Sequence, residues 1–156
     1  MSGGDDTTAR DDTTGREPPP ELPVVAGGRA EARERAVHLL YEARMKDLGG
    51  GEVLARLPIA PDPYAAGLVD GVEDHREELD AIVGRLAHGW TPERMAALDL
   101  VVLEVGCYEL AHRPDVPTEV VLSEATELAS RYGSTDDSAG FVNGVLAAAA
   151  RELRPD

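Results

Sequence analysis

The chain reads as an all-α fold of about six or seven helices. Two observations carry that reading. Apolar residues recur at helical spacing from Ala30 almost to the end, and no alternation of period two persists anywhere. The breaks between periodic segments are short and rich in Gly and Pro, which implies antiparallel neighbours of the bundle kind.

In the first segment Ala36, Val37, Leu40 and Ala43 form a buried stripe, and Gly49–Gly51 ends it. "LPIAPDP" (Leu57–Pro63) is a loop. Beyond it Leu68, Val72, Leu79, Ile82, Val83 and Leu86 keep helical spacing, and a break near Asp74–His75 divides them into two helices. Thr91-Pro92 has the form of an N-cap followed by proline in the first turn. Leu98–Ala111 is a very apolar helix, with Val101, Val102, Val105 and Leu110 in it, and reads as the central one. "HRPDVP" turns the chain into an amphipathic helix, Pro117–Tyr132, which closes at Gly133. Asp and Ser caps in "STDDSAG" then open an alanine-rich last helix.

The first 28 residues carry six acids, two arginines and Pro18–Pro20, with no sustained apolar period. Such a composition buries too little surface to offset ordering entropy, so Met1–Gly28 reads as a disordered tail and residues 29–156 as the domain. The 156 residues hold 30 acidic and 15 basic side chains, a formal charge of −15. That field repels nucleic acid at long range, so any RNA binding needs a local patch and is salt-sensitive. One cysteine excludes an internal disulfide. No apolar run approaches the roughly 18 residues that span a bilayer, and the start lacks an apolar signal segment; a cytoplasmic protein without membrane partners is expected.

Catalytic and metal chemistry find little support in the residue order. The four histidines (His38, His75, His88, His112) stand in no metal-motif spacing. "EDHREELD" (Glu73–Asp80) reads as a solvated helix face. Cys107 sits in the most apolar helix and reads as a small buried hydrophobe. Gly49–Gly51 lacks the Lys-Ser/Thr of a phosphate loop. No enzyme, cofactor or metal is expected.

Positive charge gathers only along Arg29–Lys46, with five basic and three acidic residues. At about 100° per residue, Arg29, Arg33 and Arg44 lie close to the azimuth of Leu40, while Arg35 points elsewhere, beside Glu31, His38 and Glu42. Pairing with the helix's own glutamates, as Glu31 with Arg35, is the favoured reading; Arg29 and Arg33 remain as RNA candidates. In "DDSAGFVNGVL", Phe141, the chain's only phenylalanine, follows Asp136, Asp137 and Ser138. This is either a capped helix docking through Phe141, or a surface where the ring stacks a base and the Asn143 amide reads its edge.

Together "ARERAVHLLYE", "LVDGVEDHREELD", "GCYEL", "RPDVPTEVVLSEATELA" and "STDDSAGFVNGVL" resemble, in order, the NusB family of bacterial transcription antitermination factors. The resemblance implies a bundle of two packed helical sub-bundles and a non-enzymatic function. It implies binding of boxA RNA in ribosomal RNA operons with the small-subunit ribosomal protein NusE, within an RNA polymerase elongation complex. It places RNA contacts at Arg29, Arg33, Asp137, Ser138, Phe141 and Asn143, and ribosomal-protein contacts at Tyr41 and Asp99. Departures from the family pattern include Glu31 within a thin basic cluster, Leu100 and Glu104 where basic residues are common, and Ser123 for asparagine. Each loss of a basic residue predicts weaker RNA affinity and more reliance on the protein partner. The alternative is a NusB-fold paralogue that has shed RNA binding and serves as a protein-interaction module. A third reading is a detached relative of the helical domain fused to some ribosomal RNA methyltransferases.

Overall fold

The computed structural model describes residues 26–155, and among these it contains seven α-helices and no strand. The expected tail lies almost wholly outside the described residues. The chain divides into two units between Glu31 and Ala32, and the second unit, from Ala32 onward, holds the helical core. The helices are α1 (Ala26–Lys46), α2 (Gly50–Ala55), α3 (Pro63–Asp74), α4 (Arg76–Leu86), α5 (Ala97–His112), α6 (Thr118–Tyr132) and α7 (Ser138–Leu153). The all-α expectation holds.

Helix α5 is the hub. Every residue from Asp99 to Cys107 is buried, as are Glu109 and Leu110. Helices α5, α6 and α7 pack on one another and α4 lies on α5 and α7, while α2 packs on α3 and α3 on α5. The buried stripe of α1 (Ala36, Val37, Leu39, Leu40, Ala43) joins the same core. Asp74–His75 breaks the chain as expected: α3 ends at Asp74 and α4 begins at Arg76.

Two boundaries differ from the sequence reading. Thr91-Pro92 opens only a 3-10 turn, Pro92–Arg94, and α5 starts at Ala97. Ala96 takes an extended conformation (φ −59°, ψ 136°), which interrupts the helix while Met95 turns into the core. Asp137 is the residue before α7, yet its side chain makes no capping bond. The turn is closed instead by Thr135 N–H donating to Ser138 Oγ (3.2 Å) and Asp137 N–H donating to Thr135 Oγ1 (3.1 Å).

The C-terminal end of α5 is held by one side chain from beyond α7. The Arg154 guanidinium donates to the carbonyls of Glu109 (3.0 Å), Leu110 (3.0 Å), Arg113 (2.9 Å) and Val116 (2.7 Å). The carbonyls at and just beyond a helix C-terminus are short of backbone donors, and a cation there also meets the negative end of the helix dipole. The Glu109 and Arg113 carbonyls in addition accept from backbone N–H groups. Arg154→Ala is expected to lower stability by about 2 kcal/mol, the scale of hydrogen bonds to a charged group, in urea unfolding followed by circular dichroism.

Candidate nucleic-acid interface

Two arginines of α1, Arg33 and Arg44, are engaged by carboxylates of the central helix. Arg33 is 2% exposed. Its Nε donates to both oxygens of Glu109 on α5 (2.8 and 3.0 Å), and the Tyr64 hydroxyl donates to the same carboxylate. Burial alone would lower the Arg33 pKa, but the adjoining carboxylate overcomes it and holds the guanidinium above its ordinary value. Arg44 donates to Glu104 of α5 at 3.1 Å. Arg76 of α4 reaches the same Glu104 oxygen (3.2 Å) and also Glu73 (2.8 Å).

Arg33 is therefore a core residue, where the resemblance implied a surface phosphate contact. Pairing with the helix's own glutamates is not its fate either; carboxylates of the central helix hold it. Glu104, a departure from the family pattern, is fully buried, so its role is to receive two guanidiniums rather than to repel RNA at the surface. Arg76, expected on a solvated face, completes that cluster. On the solvent face of α1, Lys46 pairs with Glu42 (2.9 Å) and Arg35 is exposed. Arg29 is half-buried at the beginning of the described helix.

The α6–α7 corner assembles most of the other expected residues. Gly133 ends α6; a Cβ there would lie 2.4 Å from the Ala129 carbonyl oxygen and from Ser138 Cβ, so only glycine lets the chain turn this tightly. Asp99, in the first turn of α5, accepts from Ser134 Oγ and Ser138 Oγ, both at 3.0 Å. Asp99 (7% exposed) and Ser138 (2%) are thus buried and bonded to each other, where the resemblance implied surface contacts with the protein partner and RNA. Their bond ties the start of α7 to the start of α5. Asp99 Oδ1 is buried without a hydrogen-bond partner.

Beside this corner lies a cleft of about 580 Å³ lined by Trp90, Arg94, Asp99, Asp137, Ser138 and Phe141, among others. The Trp90 and Phe141 rings meet edge to face at 6.3 Å, and Trp90 is half exposed. Asp137 is exposed in the cleft, whereas Asn143, two residues past Phe141, is exposed on the other side of α7, in a groove with Leu122, Thr126 and Ala139. The Thr126 hydroxyl donates to the Leu122 carbonyl at 2.7 Å and lies 3.4 Å from Asn143 Oδ1. Trp90 and Arg94 escaped the sequence reading. The one available signal was the sole tryptophan beside Gly89, in a segment without periodicity.

Tyr41 stands on the outer face of α1, one turn from Met45; the two are 36% and 54% exposed. Residues four apart share a helix face, so they form a small apolar strip. Cys107 is fully buried, and burial with Glu104 and Asp80 nearby pushes its thiol up to about 12, which leaves it protonated and inert. No helix among the described residues is long and apolar enough to cross a membrane.

Known proteins share this fold and much of this sequence pattern. The NusB family model matches residues 30–151. The fold is similar to that of NusB from T. maritima, with 30% identity, a TM-score of 0.72, and coverage of 80% of this chain and 91% of that one. It is similar to a chain in the crystal structure of the antitermination factors NusB and NusE in complex with double-stranded RNA (27% identity, TM-score 0.68, covering 80% and 96%). NusB from Aquifex aeolicus, solved in solution, is similar at 26% identity and a TM-score of 0.65, covering 82% and 92%.

Proposed function

The chain belongs to the NusB family, and from that membership we propose that it is an antitermination factor. In this reading it binds boxA-type RNA jointly with a NusE-type small-subunit ribosomal protein, in an RNA polymerase elongation complex on ribosomal RNA operons. The observation that carries the reading is the cleft at the α6–α7 corner. It joins two aromatic rings, one cation (Arg94) and exposed polar groups beside the buried, unpartnered Asp99 Oδ1. Single-stranded RNA recognition uses such a combination: rings stack unpaired bases, and polar atoms read their edges.

Within this proposal Phe141 and Asp137 meet RNA in the cleft together with Trp90 and Arg94; Asn143, which lines a separate groove, and Arg29 are further RNA contacts. Ser138 and Asp99 position the corner. Arg33 belongs to the core. With Arg33, Arg44 and Arg76 engaged by carboxylates, few cations remain for phosphates, and the chain's charge of −15 opposes approach. The ribosomal protein then supplies much of the affinity through a composite surface, docking on the Tyr41 strip.

Phe141→Ala is expected to weaken RNA binding by about 1–3 kcal/mol, the value of one base–aromatic stack, without dissolving the protein–protein complex. Tyr41→Ala is expected to do the reverse, weakening the ribosomal-protein complex by about 1–2 kcal/mol, the scale of an interface anchor. Anisotropy of labelled boxA RNA and size-exclusion chromatography with the ribosomal protein read the two effects. The paralogue reading is favoured by the burial of Arg33 and the pairing of Arg44 with Glu104; it predicts a ribosomal-protein complex that ignores RNA.

A further inference from the structure

We propose that His75, Glu78 and His112 form a binding site for a divalent transition cation of the zinc class. The three residues come from two places in the chain: His75 is the joint between α3 and α4, Glu78 lies in the first turn of α4, and His112 ends α5. One ligand atom from each lies within 4.8 Å of the others. His112 Nε2 and Glu78 Oε1 are 3.0 Å apart, and the two imidazole rings face each other with centroids at 4.0 Å. Two ligands of one tetrahedral zinc sit about 3.3 Å apart at ordinary bond lengths. The His112–Glu78 pair is already close to that spacing, and the two facing rings must swing apart for both lone pairs to meet one cation.

The surroundings prepare these ligands. His75 Nδ1 is 2.9 Å from the Gly71 carbonyl oxygen. A carbonyl can only accept, so Nδ1 carries the proton and Nε2 presents its lone pair. Holding the other ring nitrogen in this way is how proteins orient metal-binding histidines. Tyr108 forms the wall behind both rings, stacked on His112 at 5.3 Å and tilted against His75 at 5.8 Å. Gly71 makes room for that wall: a Cβ there would lie 2.2 Å from Tyr108 Cζ. One glycine thus supplies both the carbonyl that fixes His75 and the space for the ring that backs it.

The donor set selects the cation. Two neutral imidazoles and one carboxylate suit zinc, nickel or copper, whereas magnesium and calcium prefer oxygen. Three protein ligands leave a fourth position for solvent or for an atom of a partner. The cation would cross-link the α3–α4 joint to the far end of α5, about 20 Å along that helix from Asp99 and the cleft. Metal binding is therefore separable from the RNA reading.

The test uses the full chain, with any histidine tag removed, in chelator-free buffer. Zinc chloride is titrated by isothermal calorimetry and its effect on the melting temperature recorded, with magnesium chloride as control. One equivalent of zinc is expected to bind and to raise the melting temperature, with no comparable effect of magnesium. His112→Gln and His75→Gln are each expected to weaken zinc binding by more than about tenfold, since the loss of a mere outer-shell partner costs that much. Glu78→Ala, at an exposed side chain, gives the same readout should a histidine variant fold poorly. Zinc affinity unchanged in Glu78→Ala and the histidine variants would overturn the site, as would absence of binding or equal binding of magnesium.

Discussion

Glu109→Ala is expected to destabilise the fold by about 3–5 kcal/mol, the cost of leaving a buried charge without its partner. The Arg33 guanidinium is almost wholly buried and has one nitrogen, Nη2, already without a partner. Removing Glu109 deprives Nε of both its acceptors and the Tyr64 hydroxyl of its own. Arg33 stays charged at any accessible pH, so the site cannot escape by losing a proton. Water would have to enter, or α1 would have to part from α5. The double variant Arg33→Leu with Glu109→Leu should recover most of the loss, because well-packed apolar residues often replace a buried pair at little cost. Urea unfolding of wild type, Arg33→Leu, Glu109→Leu and the double variant gives the coupling directly. A Glu109→Ala variant within about 0.5 kcal/mol of wild type, the range of ordinary surface changes, would show that the pair is not structural.

The second large effect is a pH dependence set by Glu104. Burial is the leading cause that pushes its carboxyl up to about 8; the Asp80 carboxyl adds to it, and Arg76 and Arg44 pull the other way. In the unfolded chain the group ionises near 4.5. Between those two values the folded state holds a proton that the unfolded state has lost, so stability falls as pH rises. The slope from this group is at most about 1.4 kcal/mol per pH unit, accumulating to roughly 3–5 kcal/mol by pH 8 and then levelling. Glu104→Gln removes the titration but keeps an oxygen acceptor for the two guanidiniums. Urea midpoints measured from pH 5 to pH 8.5 should therefore fall more steeply for wild type than for the variant. Parallel curves would mean that the arginines keep Glu104 ionised throughout.

These two carboxylates also mark where the sequence stops being informative. The period of apolar residues suffices for the fold: the break at Asp74–His75, the central place of the very apolar α5 and the stop at Gly133 are local features of chain chemistry. Even the inward azimuth of Arg33 and Arg44 follows from counting around the helix from Leu40. Their partners do not follow, because Glu109 lies 76 residues from Arg33 and Glu104 lies 60 from Arg44. Without those partners an arginine near a helix start looks like a phosphate contact, and a glutamate in the central helix looks like a repulsive intruder. The bond between Asp99 and Ser138 is out of the sequence's reach for the same reason: it spans 39 residues. His75 and His112 reveal no common purpose in sequence, since only the packing of α5 beside the α3–α4 joint brings their rings together. That Phe141 and Asn143 lie near the start of the last helix was legible in the sequence, but not that the ring and the amide line different grooves.

The most direct measurement is fluorescence anisotropy of labelled boxA RNA, against a scrambled RNA of equal length, titrated with this protein alone and with the ribosomal protein. Done at two salt concentrations, it reads selectivity and the number of phosphates engaged together. An antitermination factor with so few free cations should bind weakly on its own, with a shallow salt dependence. Once the ribosomal protein is present, binding should become selective and much tighter. Equal affinity for both RNAs, or no RNA binding by a ribosomal-protein complex that does form, would contradict the antitermination reading.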